Sequence, residues 1–137
     1  MILLDTNVLS AVMRRDPPEV VVAWLDRQPA RSIWTTAVTV FEIEYGLQRL
    51  PDGKRRRDLE KAFRAVIAED LEGRVLPFDS QAAFTAGALA AEREAAGERP
   101  EVRDLQIAAI ARARNATIAT RNVKHFAGVC PVINPWG

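Results

Sequence analysis

The sequence predicts an α/β protein: a three-layer α/β/α sandwich around a central, mostly parallel sheet of four or five short strands, in a single domain over residues 1–137. Three observations lead there. Short apolar runs alternate with longer amphipathic ones, and strands separated by helices pair in parallel through right-handed crossovers. Pro and Gly break the chain at Pro17-Pro18, Pro51-Asp52-Gly53, Gly73, Gly97, Pro100 and Pro131, which sets the segment lengths. The first apolar run, Ile2-Leu3-Leu4, is stopped by Asp5, and a helical pattern starts at once. Such a strand delivers a carboxylate to the carboxyl edge of a sheet, where open α/β folds place their ligands.

The elements follow in order. Ile2 to Leu4 reads as a strand and Val8 to Met13 as a short helix. Pro18 suits the first turn of a helix whose Val21, Val22, Trp24 and Leu25 face inward. Arg31 to Thr36 reads as a strand, and Thr39 to Leu50 as a helix with Val40, Phe41, Ile43 and Leu47 on its buried side. Lys54 to Asp70 is the clearest amphipathic helix: Leu59, Ala62, Phe63, Val66 and Ile67 recur at three- and four-residue spacing opposite a charged face. Arg74 to Phe78 is a strand, Ser80 to Ala96 an alanine-rich helix, and Val102 to Arg114 a helix apolar on most sides and therefore mostly buried. Thr117 to Thr120 is a strand, with Val132-Ile133 a short last one.

At 137 residues the chain can bury a real core. With 48% hydrophobic and 27% charged residues and a net charge of +1, it has the balance of a soluble domain. That balance does not mark a nucleic-acid binder, yet it leaves room for a local basic patch. The single Cys130 excludes an intrachain disulfide and suits a reducing compartment. Met1 to Leu4 is too short for a signal peptide's apolar region, and no apolar run approaches the ~18 residues of a membrane span, so a cytoplasmic, membrane-free protein is expected. There is no Walker A loop or GxGxxG fingerprint, which weakens nucleotide-dependent classes. One His and one Cys, close together near the C-terminus, are too few for a zinc site.

Four polar positions fall where strands end or helices begin. Asp5 ends the first strand, and read alone it serves equally well as a helix N-cap. Glu42 follows Thr39 by three residues, the spacing of a capping box, which is its stronger reading in isolation; Glu44, one step further round, faces solvent. Asp104 lies in a first helical turn, where an acid gains ~0.3–1 kcal/mol from the helix dipole. Asn122, after Thr120-Arg121, suits a turn. Together they suggest more. Two carboxylates 4 Å apart repel by about 4 kcal/mol at an effective dielectric of 20, so three gathered acids call for a cation. Mg²⁺ or Mn²⁺ prefers oxygen ligands and keeps several waters.

The ordered set Leu4-Asp5-Thr6-Asn7-Val8-Leu9-Ser10, Glu42-x-x-x-Gly46, Arg103-Asp104-x-x-Ile107-Ala108 and Ala119-Thr120-Arg121-Asn122-x-x-x-Phe126 resembles the PIN domain. It is most similar to the VapC toxins of bacterial toxin–antitoxin pairs, in the branch related to FitB; the closing Val132-Ile133-Asn134-Pro135-Trp136 fits that branch too. The resemblance covers essentially the whole chain. It implies a metal-dependent ribonuclease, a homodimer, and inhibition by a VapB-like antitoxin. It places the metal-binding acids at Asp5, Glu42 and Asp104. Related chains often carry a fourth acid at or near Asn122 and an Asp where His125 stands; both replacements here lower the site's negative charge.

On this reading Asp5 and Asp104 ligate Mg²⁺ directly and Glu42 does so directly or through water. Asn122 is counted with the catalytic residues, orienting waters together with Thr6 or Thr120. Thr6, Thr120 and Arg121 are expected at the substrate. RNA approaching an acidic pocket needs cations: Arg14-Arg15, Lys54-Arg55-Arg56-Arg57, and Arg121 with Lys124 are candidates, though the 54–57 run is also what a solvated helix face looks like. His125 is expected at the surface or as a helix cap rather than as a base or ligand. Leu59, Phe63, Val66 and Ile67 read as core, or as a face for the dimer or antitoxin. A catalytically inactive PIN-like module binding RNA or a protein partner is the rival class. A phosphatase of the haloacid-dehalogenase type would need a second Asp where Asn7 stands.

Overall fold

The computed structural model describes residues 1–137. Five short parallel strands, β1 (Ile2–Leu4), β2 (Ile33–Thr36), β3 (Val75–Leu76), β4 (Thr117–Ala119) and β5 (Val132–Ile133), form one sheet in the order β3-β2-β1-β4-β5. The first strand is central: Leu3 lies beside Trp34 of β2 on one side and Ile118 of β4 on the other. The connection order reverses between β1 and β4. In open parallel sheets that reversal opens a crevice at the strands' carboxyl ends, and Asp5 and Thr120 stand at its two lips.

Period-two alternation sorts the central strands between two cores. Leu4 and Ala119 point to a layer built by α1 (Thr6–Val12), α2 (Glu19–Asp26), α3 (Ala37–Gln48) and α4 (Lys54–Ala65), where Leu9, Val21, Ile43, Leu47, Phe63 and Leu71 pack. Leu3 and Ile118 point to the opposite layer, built by α5 (Ser80–Ala95), α6 (Val102–Ala113) and α7 (Val123–Phe126), where Ile107, Ile110 and Phe126 pack. Small side chains at Ala82, Ala86, Ala108 and Ala109 line the α5 and α6 faces of this layer. The three-layer, five-stranded expectation holds, and every strand pair is parallel.

Several sequence expectations need correction. The α3 helix begins two residues earlier than the sequence suggested, because Thr36 rather than Thr39 caps it: the Thr39 amide donates to Thr36 Oγ1 at 3.1 Å. That start turns the helix so that Val38, Thr39, Ile43 and Leu47 are buried. Phe41, expected inside, projects from the opposite side, 57% exposed and stacked on Tyr45. The long amphipathic helix is α4 followed by a π-helical turn over Val66–Asp70. The strand expected from Arg31 starts only at Ile33, after a 3₁₀ turn at Ala30–Ser32. Strand β3 is two residues rather than the expected five. Helix α7 was not anticipated; at four residues it is too short to show a period.

Candidate functional site

Asp5 is 4% exposed at the end of β1. It occupies the N-cap position of α1 in extended backbone, yet its side chain makes no capping bond. Its Oδ2 accepts instead from Thr120 Oγ1 at 2.7 Å and from Asn7 Nδ2 at 3.3 Å. Asn7 Nδ2 also donates to Thr120 Oγ1 (3.1 Å), and its Oδ1 accepts the Arg121 amide (3.0 Å). The Asn122 amide completes the knot, donating to Thr120 Oγ1 at 3.0 Å. Residues more than a hundred positions apart thereby stitch the carboxyl ends of β1 and β4 into one polar cluster. Both side-chain donors fall on Oδ2, so Oδ1 has no side-chain donor.

Helix α3 carries Glu42 to the same edge. It is half-buried and caps nothing: Thr6 Oγ1 donates to its Oε1 at 3.0 Å, and Arg103 Nε stands 3.9 Å from its Oε2. Helix α6 carries Asp104. The cap of that helix is Glu101, whose Oε2 accepts the Asp104 amide at 2.9 Å, so Asp104 itself is released from capping. Its Oδ2 lies 2.8 Å from His125 Nδ1. The imidazole expected at the surface or on a helix end thus approaches an acid of the site; with the carboxylate ionised, the ring must donate.

Burial raises all three carboxyls above their usual range, and Asp5 and Glu42 also feel other acids of the set. Burial acts first on Asp5, with Asp104 adding to it against the Thr120 and Thr6 donors. Burial acts first on Glu42, with Asp5 and Asp104 adding against Thr6 and Arg103. Burial acts first on Asp104, partly offset by His125. Three carboxylates that repel across one crevice and pay for desolvation suit a hard cation, and the donor set is oxygen alone. As the side chains lie, no three acidic, His or Cys groups enclose a point at ligand distance. Mg²⁺ retains several waters, and ligands that reach an ion through water need not converge so closely.

The structure brings Asp5, Thr6, Glu42, Asp104, Thr120 and the Arg121 and Asn122 backbone to one edge. It commits the Thr6 and Thr120 hydroxyls to the acids. The Asn122 side chain is exposed and forms no hydrogen bond with the acids. The Arg121 guanidinium lies over the Trp136 ring, 4.6 Å from its centre. Of the other proposed cations, Arg14, Arg15, Lys54 and Arg55 border one cleft at the far end of α1, and Arg56 is tied to Glu60 and the Leu50 carbonyl. Sequence reasoning overlooked Asn7 as the hub, Glu101 as the cap and His125 as a partner of Asp104. Only Asn7 left a signal, a short polar residue three places beyond a strand end.

A model of the PIN domain matches residues 2–130. The chain is 38% identical to the VapC ribonuclease Y4jK of Sinorhizobium fredii over 99% of its length and 98% of the relative's. It is 37% identical to Toxin FitB of Neisseria gonorrhoeae over 99% of each. The crystal structure of FitAcB from Neisseria gonorrhoeae superposes with a TM-score of 0.89 at 36% identity, covering 99% of both chains.

Proposed function

The chain belongs to the PIN-domain family, and from that premise we propose that it is the toxin of a toxin–antitoxin pair, a ribonuclease that hydrolyses RNA phosphodiester bonds with the help of Mg²⁺ or Mn²⁺. The observation that carries this reading is the approach of Asp5, Glu42 and Asp104, from three distant segments, with burial raising each carboxyl and neighbouring acids of the set raising Asp5 and Glu42 further. Whole-chain likeness to proteins named as a ribonuclease and a toxin supports it.

Asp5 and Asp104 would hold the ion directly and Glu42 directly or through water; bound there, it would supply positive charge for the phosphoryl oxygens and a more acidic water. The remaining work belongs to the chain. Thr120 and Asn7 fix the Asp5 carboxylate, leaving Oδ1 as its freer edge. Thr6 sets Glu42, and His125 with the Glu101-capped start of α6 sets Asp104. Asn122, with its amide side chain in solvent, orients a water or a phosphate oxygen on this reading. Arg121, beside the same knot, meets the substrate backbone as a cation stacked on Trp136. Further cations lie at Arg14, Arg15 and the Lys54–Arg57 run.

A VapB-like antitoxin and a second copy of this chain are the proposed protein partners, and the cytoplasm the proposed location. No helix is long and apolar enough to cross a membrane. The test is incubation of the purified protein with tRNA, rRNA and mRNA substrates, with Mg²⁺ or with EDTA, beside Asp5→Ala. Cleavage should need the divalent ion and vanish in the variant while its circular dichroism stays native. Wild-type-like, Mg²⁺-dependent cutting by Asp5→Ala would remove the assignment. An inactive binding module would instead show neither cleavage nor a Mg²⁺-dependent rise in Tm.

A further inference from the structure

A second cleft opens beside the acidic crevice and shares Asp104 with it. It occupies about 390 Å³ between the end of α5, the start of α6 and α7, and is lined by Arg93, Glu98, Arg99, Pro100, Glu101, Asp104, Leu105, Ala108, Lys124 and His125. Its charges sort into engaged and free groups. Arg93 pairs with Glu98 at 3.0 Å. Glu101 caps α6 and pairs with Arg103 at 3.2 Å. Asp104 is held by His125. Arg99 and Lys124 are exposed and enter no ion pair. Two uncommitted cations, from segments 25 residues apart in sequence, therefore border a cleft whose wall includes Asp104 of the acidic set.

The wall that presents Arg99 is set by the end of helix α5. The Glu98 amide donates to the Arg93 carbonyl at 2.8 Å and the Gly97 amide to the Glu94 carbonyl at 3.0 Å, with Gly97 at a φ of +79°. This is a Schellman ending, which holds the turn in a fixed shape. It seats Glu98 against Arg93 and leaves Arg99 as the next residue, unpaired. On the opposite wall, Lys124 stands two residues after the Thr120–Asn122 knot and precedes the histidine bound to Asp104. Both walls are thus tied to the parts of the fold that position the acids.

We propose that this cleft is a subsite for the RNA backbone flanking the cleaved bond, with Arg99 and Lys124 each contacting a phosphate and so offsetting the repulsion between substrate and carboxylates. It rests on the ribonuclease reading and extends it. Mobile phosphate contacts with Lys and Arg supply affinity without sequence preference. Because these contacts lie to one side of the acids and exist before and during the reaction, they act on substrate binding more than on turnover.

The experiment compares wild type, Arg99→Ala/Lys124→Ala, and a charge-matched control, Arg27→Ala/Arg31→Ala, whose exposed arginines precede β2 at the amino edge of the sheet. Binding of a fluorescein-labelled single-stranded RNA is followed by anisotropy in EDTA across a salt series, and cleavage of the same RNA in Mg²⁺. The cleft variant should lower the slope of log Kd against log salt by ~1.4, at ~0.7 per lost contact on a single strand, and raise KM several-fold with kcat kept. The control should move neither. Unchanged slope and KM in the cleft variant, or an equal fall in the control, overturns the subsite even if the wild type cuts RNA. A wild type that cuts nothing, but whose slope still falls only in the cleft variant, leaves the phosphate subsite standing and removes the nuclease reading. Loss of binding to a poly-glutamate peptide, with RNA binding unaltered, would reassign the cleft to an acidic protein partner and also overturns the proposal.

Discussion

Replacing Asp5 by asparagine keeps the shape of the side chain and removes its charge. Two consequences oppose one another. The bonds from Thr120 (2.7 Å) and Asn7 (3.3 Å) now end on a neutral amide oxygen. Charged acceptors are worth about 1.5–3 kcal/mol and neutral ones about 0.5–1.5 kcal/mol, so roughly 2 kcal/mol is lost over both. Against this stands release of a nearly inaccessible carboxylate, whose desolvation costs several kcal/mol, and of its repulsion with Asp104. The balance favours the variant by about 1–2 kcal/mol in the metal-free protein, a rise in Tm of about 3–8 °C for a chain of this size. An ordinary N-cap would give another answer, since Asn caps as well as Asp and Tm would hardly move. The pH dependence separates the two further. A carboxyl whose folded value lies above its usual 3.8 binds more protons folded than unfolded. Its burden on stability grows as pH rises from that value through the raised one and is complete above it. Thermal melts in EDTA should therefore show the gain of Asp5→Asn in full near neutrality and fading toward pH 4. A gain that is absent at neutral pH, or that persists undiminished in acid, refutes the picture of a strained carboxylate. The same variant should lose any Mg²⁺-dependent rise in Tm, the exchange of stability for function expected at a charged site.

Thr120→Val is nearly isosteric but leaves Asp5 without its shortest donor and strands the Asn7 and Asn122 donors. It should cost about 1–3 kcal/mol in chemical denaturation and weaken cleavage; a variant as stable and active as wild type would show that the knot is incidental. Phe126→Ala, at a fully buried ring in the layer beneath α7, should cost about 3–5 kcal/mol. Because α7 carries Lys124 and His125, its RNA affinity should fall as well, and a stability loss under about 1 kcal/mol, well below that range, would count against this packing.

The alternation of short strands and amphipathic helices was legible because burial on one or two faces imposes periods of 2 and 3.6 on the chain. Asp5 and Asp104 were legible as acids at a strand end and a helix start, and the resemblance of the ordered motifs, rather than position, joined Glu42 to them. The capping roles were not. Thr39-x-x-Glu42 and Thr36 are both sensible caps for α3, and burial of Val38 and Ile43 chooses Thr36. That choice, local in sequence terms, frees Glu42 and turns Phe41 outward.

The chain by itself determined the layers and the parallel sheet, since hydrophobic period is written within a few neighbouring residues, and its ordered motifs singled out three acids through the resemblance they carry. Tertiary structure alone decided what each polar group does. The bonds from Thr120 to Asp5, Thr6 to Glu42 and His125 to Asp104 join residues 115, 36 and 21 positions apart, and no local pattern encodes a partner that only the order of strands in the sheet brings within reach.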